Sequence, residues 1–221
     1  MHKASAILWD HDNTLMPTAE LHFQKHLHIC GQYGVTINES YRLRIAANNG
    51  LQNWEWLSND RGLKLNKEKY LTEIDQFYKK QIARLSPSAV ILNCIQDISD
   101  KDIPQFIVSN ARKSSLSLSV ESHGFDKVMS GIFAKEDYQG KKNDPSTYPA
   151  LLEKIRPFAK HDLKENSCVL IDDDADCIDA ANEAGLITIH FLTGPNQRKT
   201  DKAYISLEDE NLLTRHLKDI L

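Results

Sequence analysis

A four-residue apolar run, Ala6-Ile7-Leu8-Trp9, stops abruptly at Asp10-His11-Asp12-Asn13-Thr14. Apolar residues without alternation suit a strand buried on both faces, as in the interior of a parallel sheet. Asp and Asn are poor strand formers, because they favour turns and their side chains compete for backbone partners. The strand should therefore end near Asp10 and leave two carboxylates at its carboxyl edge. In open α/β sheets that edge is where ligands bind. Two acids held close together repel, so they need a cation, a shared proton or solvent. Taken alone, the stretch fits a solvated Asx turn after a core strand equally well.

The same break recurs downstream. Gln105-Phe106-Ile107-Val108 runs into Ser109-Asn110, and Cys168-Val169-Leu170-Ile171 runs into Asp172-Asp173-Asp174. A weaker strand is expected over Val128–Phe133 and another over Ile187–Phe191. Helical patterns separate them: Val90–Ile98, Ser114–His123 stopped by Gly124, Pro145–Ile155 with proline in its first turn, and Cys177–Ala184 stopped by Gly185. Strands alternating with helices predict a parallel sheet with helices on both faces. Residues 17–86 differ, reading as several helices with no strand and with a turn at Asn48-Asn49-Gly50. The expected organisation is an α/β core built from 1–16 and 87–221, interrupted by a helical insertion over 17–86.

In a parallel sheet all three polar strand endings share one edge, so Asp10, Asp12, Ser109, Asn110, Asp172 and Asp173 can meet in one site. A group of carboxylates with no accompanying Cys/His set points to magnesium rather than zinc. The formal net charge of −4 argues against nucleic acid as a partner. No apolar run reaches the length of a membrane span, and Asp10 interrupts the N-terminal apolar segment too early for a signal peptide. Cys30, Cys94, Cys168 and Cys177 are widely spaced and read as packed, reduced thiols. A cytoplasmic protein is the expectation. Nothing in the sequence bears on its oligomeric state.

Four motifs in order give the chain a strong resemblance to the haloacid dehalogenase-like (HAD) superfamily. They are Asp10-His11-Asp12-Asn13-Thr14-Leu15; Phe106-Ile107-Val108-Ser109-Asn110; Lys142 ahead of Pro145-Ser146-Thr147-Tyr148; and Ile171-Asp172-Asp173-Asp174 followed by Ala180-Ala181-Asn182-Glu183-Ala184-Gly185. The resemblance implies a Rossmann-like parallel sheet core with an inserted helical cap domain. It implies that Asp10 is a nucleophile forming an aspartyl-phosphate, and that Asp12 is a general acid and then a base. Ser109 would bind the transferring phosphoryl group, with Asn110 beside it, and Thr14 would support the loop. Lys142 would neutralise the phosphate and Asp10, the spacing to Pro145 favouring it over the adjoining Lys141 as the alternative. Asp173, Asp10 and the Asp12 backbone carbonyl would hold Mg2+, with Asp172 a second carboxylate ligand or one acting through water.

Three positions depart from the common pattern. Asn13 replaces a glycine, although Asn tolerates the left-handed conformation. His11 replaces a hydrophobe and either fills space or contacts substrate. Cys177 stands where relatives carry Asn or Asp. Within the insertion, His22 and His26 have a spacing used in zinc sites but no third ligand, so an exposed or cleft-lining pair is expected. Asn49 and Trp54 are candidates for contacting the body of the substrate. The reading is a magnesium-dependent phosphomonoesterase acting on a small phosphorylated metabolite. A sugar-phosphate phosphomutase with the same nucleophile is the alternative. A 2-haloacid dehalogenase is disfavoured by Asp12, and a non-catalytic phosphate-binding relative by the intact set of acids.

Overall fold

A computed structural model describes residues 4–159, 163–192 and 198–221. The remaining positions, all within the stretches assigned to the core, lie outside the described residues. The chain divides into two compact units, one made of Met1–Pro17 with Ser86–Leu221 and the other of Thr18–Leu85.

Among its described residues the larger unit holds one sheet of six strands: β1 (Ala6–Trp9), β2 (Gln105–Val108), β3 (Gly131–Phe133), β4 (Cys168–Asp172), β5 (Ile187–Phe191) and β6 (Ile205–Leu207). Their order is β3-β2-β1-β4-β5-β6 and every pairing is parallel. β1 therefore stands between β2, the next strand in the chain, and β4. This is the arrangement of a doubly wound sheet, whose crevice opens at the carboxyl ends of the two central strands. Its α-helices among the described residues are α5 (Ala89–Ser99), α6 (Lys113–His123), α7 (Thr147–Ile155), α8 (Ala175–Glu183) and α9 (Asn211–Ile220). Ala6, Leu8, Phe106, Val108, Cys168 and Leu170 share one sheet face, packing with Tyr148, Leu151 and Ile155 of α7 and Ala180 and Ala181 of α8.

The smaller unit is helical throughout: α1 (Ala19–Gln32), α2 (Arg42–Ala47), α3 (Gly50–Arg61) and α4 (Lys67–Ile82). Phe23, Ile29, Cys30, Ile45, Trp56, Leu57, Tyr70 and Ile74 form its core.

Several local expectations need correction. Pro145 lies ahead of α7 rather than in its first turn, because Asp144 Oδ1 accepts from the Ser146 backbone N–H at 2.9 Å and shapes an Asx turn there. β3 is confined to Gly131–Phe133, a short 3₁₀ turn at Phe125–Lys127 preceding it. Asn48-Asn49 does link two helices, α2 and α3, as expected, but it is also a helix start: Asn49 and Gln52 form a reciprocal capping box for α3. His26 is buried rather than exposed or cleft-lining, with its Nδ1 2.5 Å from the Tyr70 hydroxyl. β6 and α9 are not anticipated by the sequence reading.

Candidate active site

Register places the first carboxylate. Leu8 pairs with Leu170 and Trp9 with Ile171, so one further step along both strands brings Asp10 beside Asp172. The Asp10 backbone N–H still donates to the Ile171 carbonyl at 2.9 Å. Beyond it the chain turns sharply: Asn13 takes φ 60°, its N–H donates to the Met16 carbonyl at 2.7 Å, and the Met16 N–H donates to the His11 carbonyl at 2.9 Å. Asn meets the left-handed requirement at modest cost, which accounts for a non-glycine residue there. Thr14 is buried under this turn.

Lys142 comes from the loop between β3 and α7, and that loop is tied down at several points. The Tyr148 hydroxyl reaches the Lys142 carbonyl at 2.8 Å and the Cys177 carbonyl at 3.2 Å. The Thr147 hydroxyl donates to the Lys141 carbonyl at 2.8 Å. Gly140 has φ +89°, and a Cβ there would sit 2.5 Å from Thr147 Oγ1, so both conformation and space demand glycine. Lys142 is buried while neighbouring Lys141 is exposed. Its Nζ donates to Asp10 Oδ1 and, at 2.7 Å, to Asp172 Oδ2.

Ser109 follows β2 and is buried; its Oγ accepts from the Ala111 N–H at 3.1 Å. Asn110 faces the lysine loop: its Oδ1 accepts from the Tyr138 hydroxyl at 3.0 Å and the Lys142 N–H at 3.3 Å. Asn110 thus helps to position Lys142, a role the sequence did not suggest. Tyr138 and Tyr148 are likewise members of the site that sequence reasoning missed. Their only sequence signal is the place of Tyr148 in the Pro145–Tyr148 motif.

Asp172 Oδ1 accepts from the Asp174 N–H at 2.9 Å, and Asp174 in turn caps α8. One ligand atom from each of Asp10, Asp172 and Asp173 lies within 4.8 Å of the others. Asp12 is partly exposed. Asn49 and Trp54 belong to the helical unit, where Asn49 caps α3 and Trp54 Nε1 donates to the Leu65 carbonyl at 2.8 Å.

The electrostatics stem from burial. Desolvation pushes Asp10 up to about 7; Lys142 opposes the shift, while Asp172 and Asp12 add to it. Asp173 is pushed up to about 9 by burial and then by the charges of Asp10 and Asp172. Burial also raises Asp172. Burial would lower Lys142, but the two carboxylates outweigh it and hold the ammonium well above its ordinary value. One ammonium among three carboxylates leaves surplus negative charge in a dry site. Oxygen donors alone, gathered and undercompensated, fit a hard divalent cation. Cys177 stays a thiol, its pKa driven up by burial.

The family described as haloacid dehalogenase-like hydrolase matches residues 7–191. No curated protein matches the chain in sequence. Solved structures share the fold across nearly its whole length. A provisionally assigned β-phosphoglucomutase from Thermotoga maritima superposes with a TM-score of 0.82 at 17% identity, covering 100% of both chains. CbbY from Rhodobacter sphaeroides, solved with phosphate, gives 0.75 at 19% identity over 95% of this chain and 96% of its own. A phosphoglycolate phosphatase assigned by prediction, from Haemophilus somnus, gives 0.79 at 15% identity over 98% and 99%.

Proposed function

The chain belongs to the haloacid dehalogenase-like hydrolase family, and from that premise we propose that it is a magnesium-dependent phosphomonoesterase acting on a small phosphorylated metabolite through an aspartyl-phosphate. The observation that carries the reading is the buried lysine bridge between Asp10 and Asp172, with Asp173 beside them. A carboxylate nucleophile must stay ionised in a desolvated place while an anionic phosphate approaches. Lys142 supplies part of the counter-charge for that.

In this mechanism an Asp10 oxygen attacks phosphorus and the bond to the leaving oxygen breaks. Asp12 gives its proton to that oxygen and later takes one from the water that hydrolyses the acyl phosphate. The partial exposure of Asp12 suits an acid that must meet both substrate and water. Ser109 offers its hydroxyl proton to a phosphoryl oxygen, and Lys142 balances charge that spreads over the phosphoryl group in the transition state. Asp10, Asp172, Asp173 and the Asp12 carbonyl would hold the cation. Bound Mg2+ would supply further charge neutralisation at the phosphoryl oxygens. Thr14 supports the Asp10 turn. The helical unit Thr18–Leu85 is read as the cap that contacts the non-phosphate part of the ester, with Asn49 and Trp54 its candidate contacts.

A second reading is favoured by one observation, the full-length likeness to β-phosphoglucomutases and to CbbY, which has also been solved, as a variant, with xylulose 1,5-bisphosphate. A phosphomutase would use the same residues but return the phosphoryl group to a sugar phosphate instead of to water. The test is a phosphometabolite panel assayed with Mg2+, with and without a sugar bisphosphate activator. Release of inorganic phosphate without activator is expected. Turnover that requires the activator and yields an isomeric phosphate would establish the mutase instead. No turnover of any member would overturn both.

A further inference from the structure

His11 separates the two carboxylates of the first motif, and its side chain is enclosed within the larger unit. Both ring nitrogens have defined surroundings. Nε2 lies 2.8 Å from Ser119 Oγ on α6, while Nδ1 lies 3.5 Å from Asp12 Oδ1. Among the described residues Nδ1 has no partner at hydrogen-bond geometry. A buried donor or acceptor left so costs about 1–3 kcal/mol, so its place beside Asp12 calls for an explanation.

The neighbouring carboxylate favours hydrogen on Nδ1, because a bare lone pair 3.5 Å from Asp12 Oδ1 would face another lone pair. His123 Nδ1 lies 2.6 Å from the Ser119 carbonyl, which can only accept, so His123 Nδ1 bears hydrogen. The same nitrogen is 3.5 Å from Ser119 Oγ, an approach in which that oxygen can only accept. Ser119 Oγ still has its own proton, which at 2.8 Å it can offer to His11 Nε2. With Nε2 accepting, the neutral imidazole carries its hydrogen on Nδ1, facing Asp12 Oδ1.

We propose that His11, fixed in this tautomer by Ser119, is a positioning residue for Asp12. Its Nδ1–H, 3.5 Å from Asp12 Oδ1 in the free protein, closes on that oxygen in the reacting complex, and Oδ2 carries and delivers the catalytic proton. This rests on the reading of Asp12 as general acid. When the Asp10 oxygen bonds to phosphorus and the ester P–O bond breaks, the Oδ2 proton passes to the departing oxygen. Asp12 is left ionised, its Oδ1 still held by His11. A hydrophobic residue between the two acids would fill the same space but could not orient the carboxyl group.

The experiment uses substituted phenyl phosphates, from p-nitrophenyl to phenyl to p-methoxyphenyl, and plots kcat/KM against leaving-group basicity for the intact protein with Mg2+. Help from an acid matters most for the most basic leaving group. His11→Gln keeps a partner for Ser119 but lacks the Nδ1 donor, whereas the amide nitrogen of His11→Asn reproduces that donor. His11→Gln is expected to lose about tenfold or more on phenyl phosphate and under about threefold on p-nitrophenyl phosphate, which steepens the plot. His11→Asn should keep a slope close to wild type. Ser119→Ala, which acts from α6 without altering the β1 turn, should steepen it partially. Asp12→Asn, run in parallel, separates the two claims. A steep slope in Asp12→Asn with wild-type slopes in both His11→Gln and Ser119→Ala would overturn the role of His11. Equal losses across the series in His11→Gln would reduce it to packing and also overturn that role. A wild-type slope in Asp12→Asn would overturn the general-acid reading beneath it.

Discussion

Lys142 Nζ lies 2.7 Å from Asp172 Oδ2, and the same ammonium also donates to Asp10 across the switch point of the sheet. All three side chains are withdrawn from solvent. Removing one partner of a buried ion pair costs more than replacing the whole pair, because the remaining charge is stranded. Lys142→Met, close in volume, is expected to abolish turnover and to lower stability by about 3–5 kcal/mol at neutral pH. In acid, where Asp10 is protonated and burial favours the neutral form of Asp172, the deficit should shrink. Urea titrations at pH 7.5 and pH 4.5 test this, and equal deficits at both would contradict the electrostatic account.

Asp10→Asn should separate chemistry from folding. The amide cannot attack phosphorus, so turnover of an aryl phosphate at saturating Mg2+ should vanish. The buried site would lose one of its mutually repelling charges, so the melting temperature should hold or rise. Near-normal activity would remove Asp10 from the role of nucleophile.

The metal-free protein should become less stable as pH rises. Asp10 and Asp173 have folded values of about 7 and about 9, above the ordinary 3.8 of an unfolded aspartate. Between the unfolded and folded values the native state binds more protons, so this contribution is present in acid and lost as pH rises toward about 9. Mg2+ binds the ionised forms and should offset the loss. Melting curves with EDTA should fall from pH 5 to pH 9, and curves with Mg2+ should fall less. Asp173→Asn should flatten the EDTA series and weaken the Mg2+ dependence of activity. An unchanged magnesium titration in that variant would transfer the ligand role to Asp172.

Much of the site is legible in the sequence because strand endings are abrupt. Ile7-Leu8-Trp9, Phe106-Ile107-Val108 and Val169-Leu170-Ile171 are apolar enough to be buried strands, and the Asp, Ser and Asn residues after them are too polar to continue one. Features that escape a linear reading are long-range or marginal. The pairing of His11 with Ser119 spans 108 positions. Tyr138 reaches Asn110 only after β2 and β3 have paired side by side. β6 has three residues, too few for a period, whereas α9 does carry its buried Leu213, Leu217 and Ile220 at a helical spacing. His26 looks like half of a metal pair until its partner, Tyr70, folds in from α4.

Asn49 invites two explanations for any effect of its loss, and the capping box decides how to separate them. Asn49 Oδ1 accepts from the Gln52 N–H, and Gln52 Oε1 accepts from the Asn49 N–H, each at 3.0 Å. Trp54 in the same helix is anchored through its indole N–H to Leu65. Asn49→Ala should therefore cost about 1 kcal/mol of stability, whereas Asn49→Ser, which keeps a capping oxygen, should cost little. A substrate contact obeys a different rule. Remote binding energy affects kcat/KM only for an ester large enough to collect it, so acetyl phosphate should be insensitive to either change. For the ester identified by the panel, we expect Asn49→Ala to lower kcat/KM and Asn49→Ser to recover it together with the stability, because the side chain acts through the start of α3. A selectivity defect that persists in Asn49→Ser after stability has returned would instead make Asn49 a direct contact to the body of the ester.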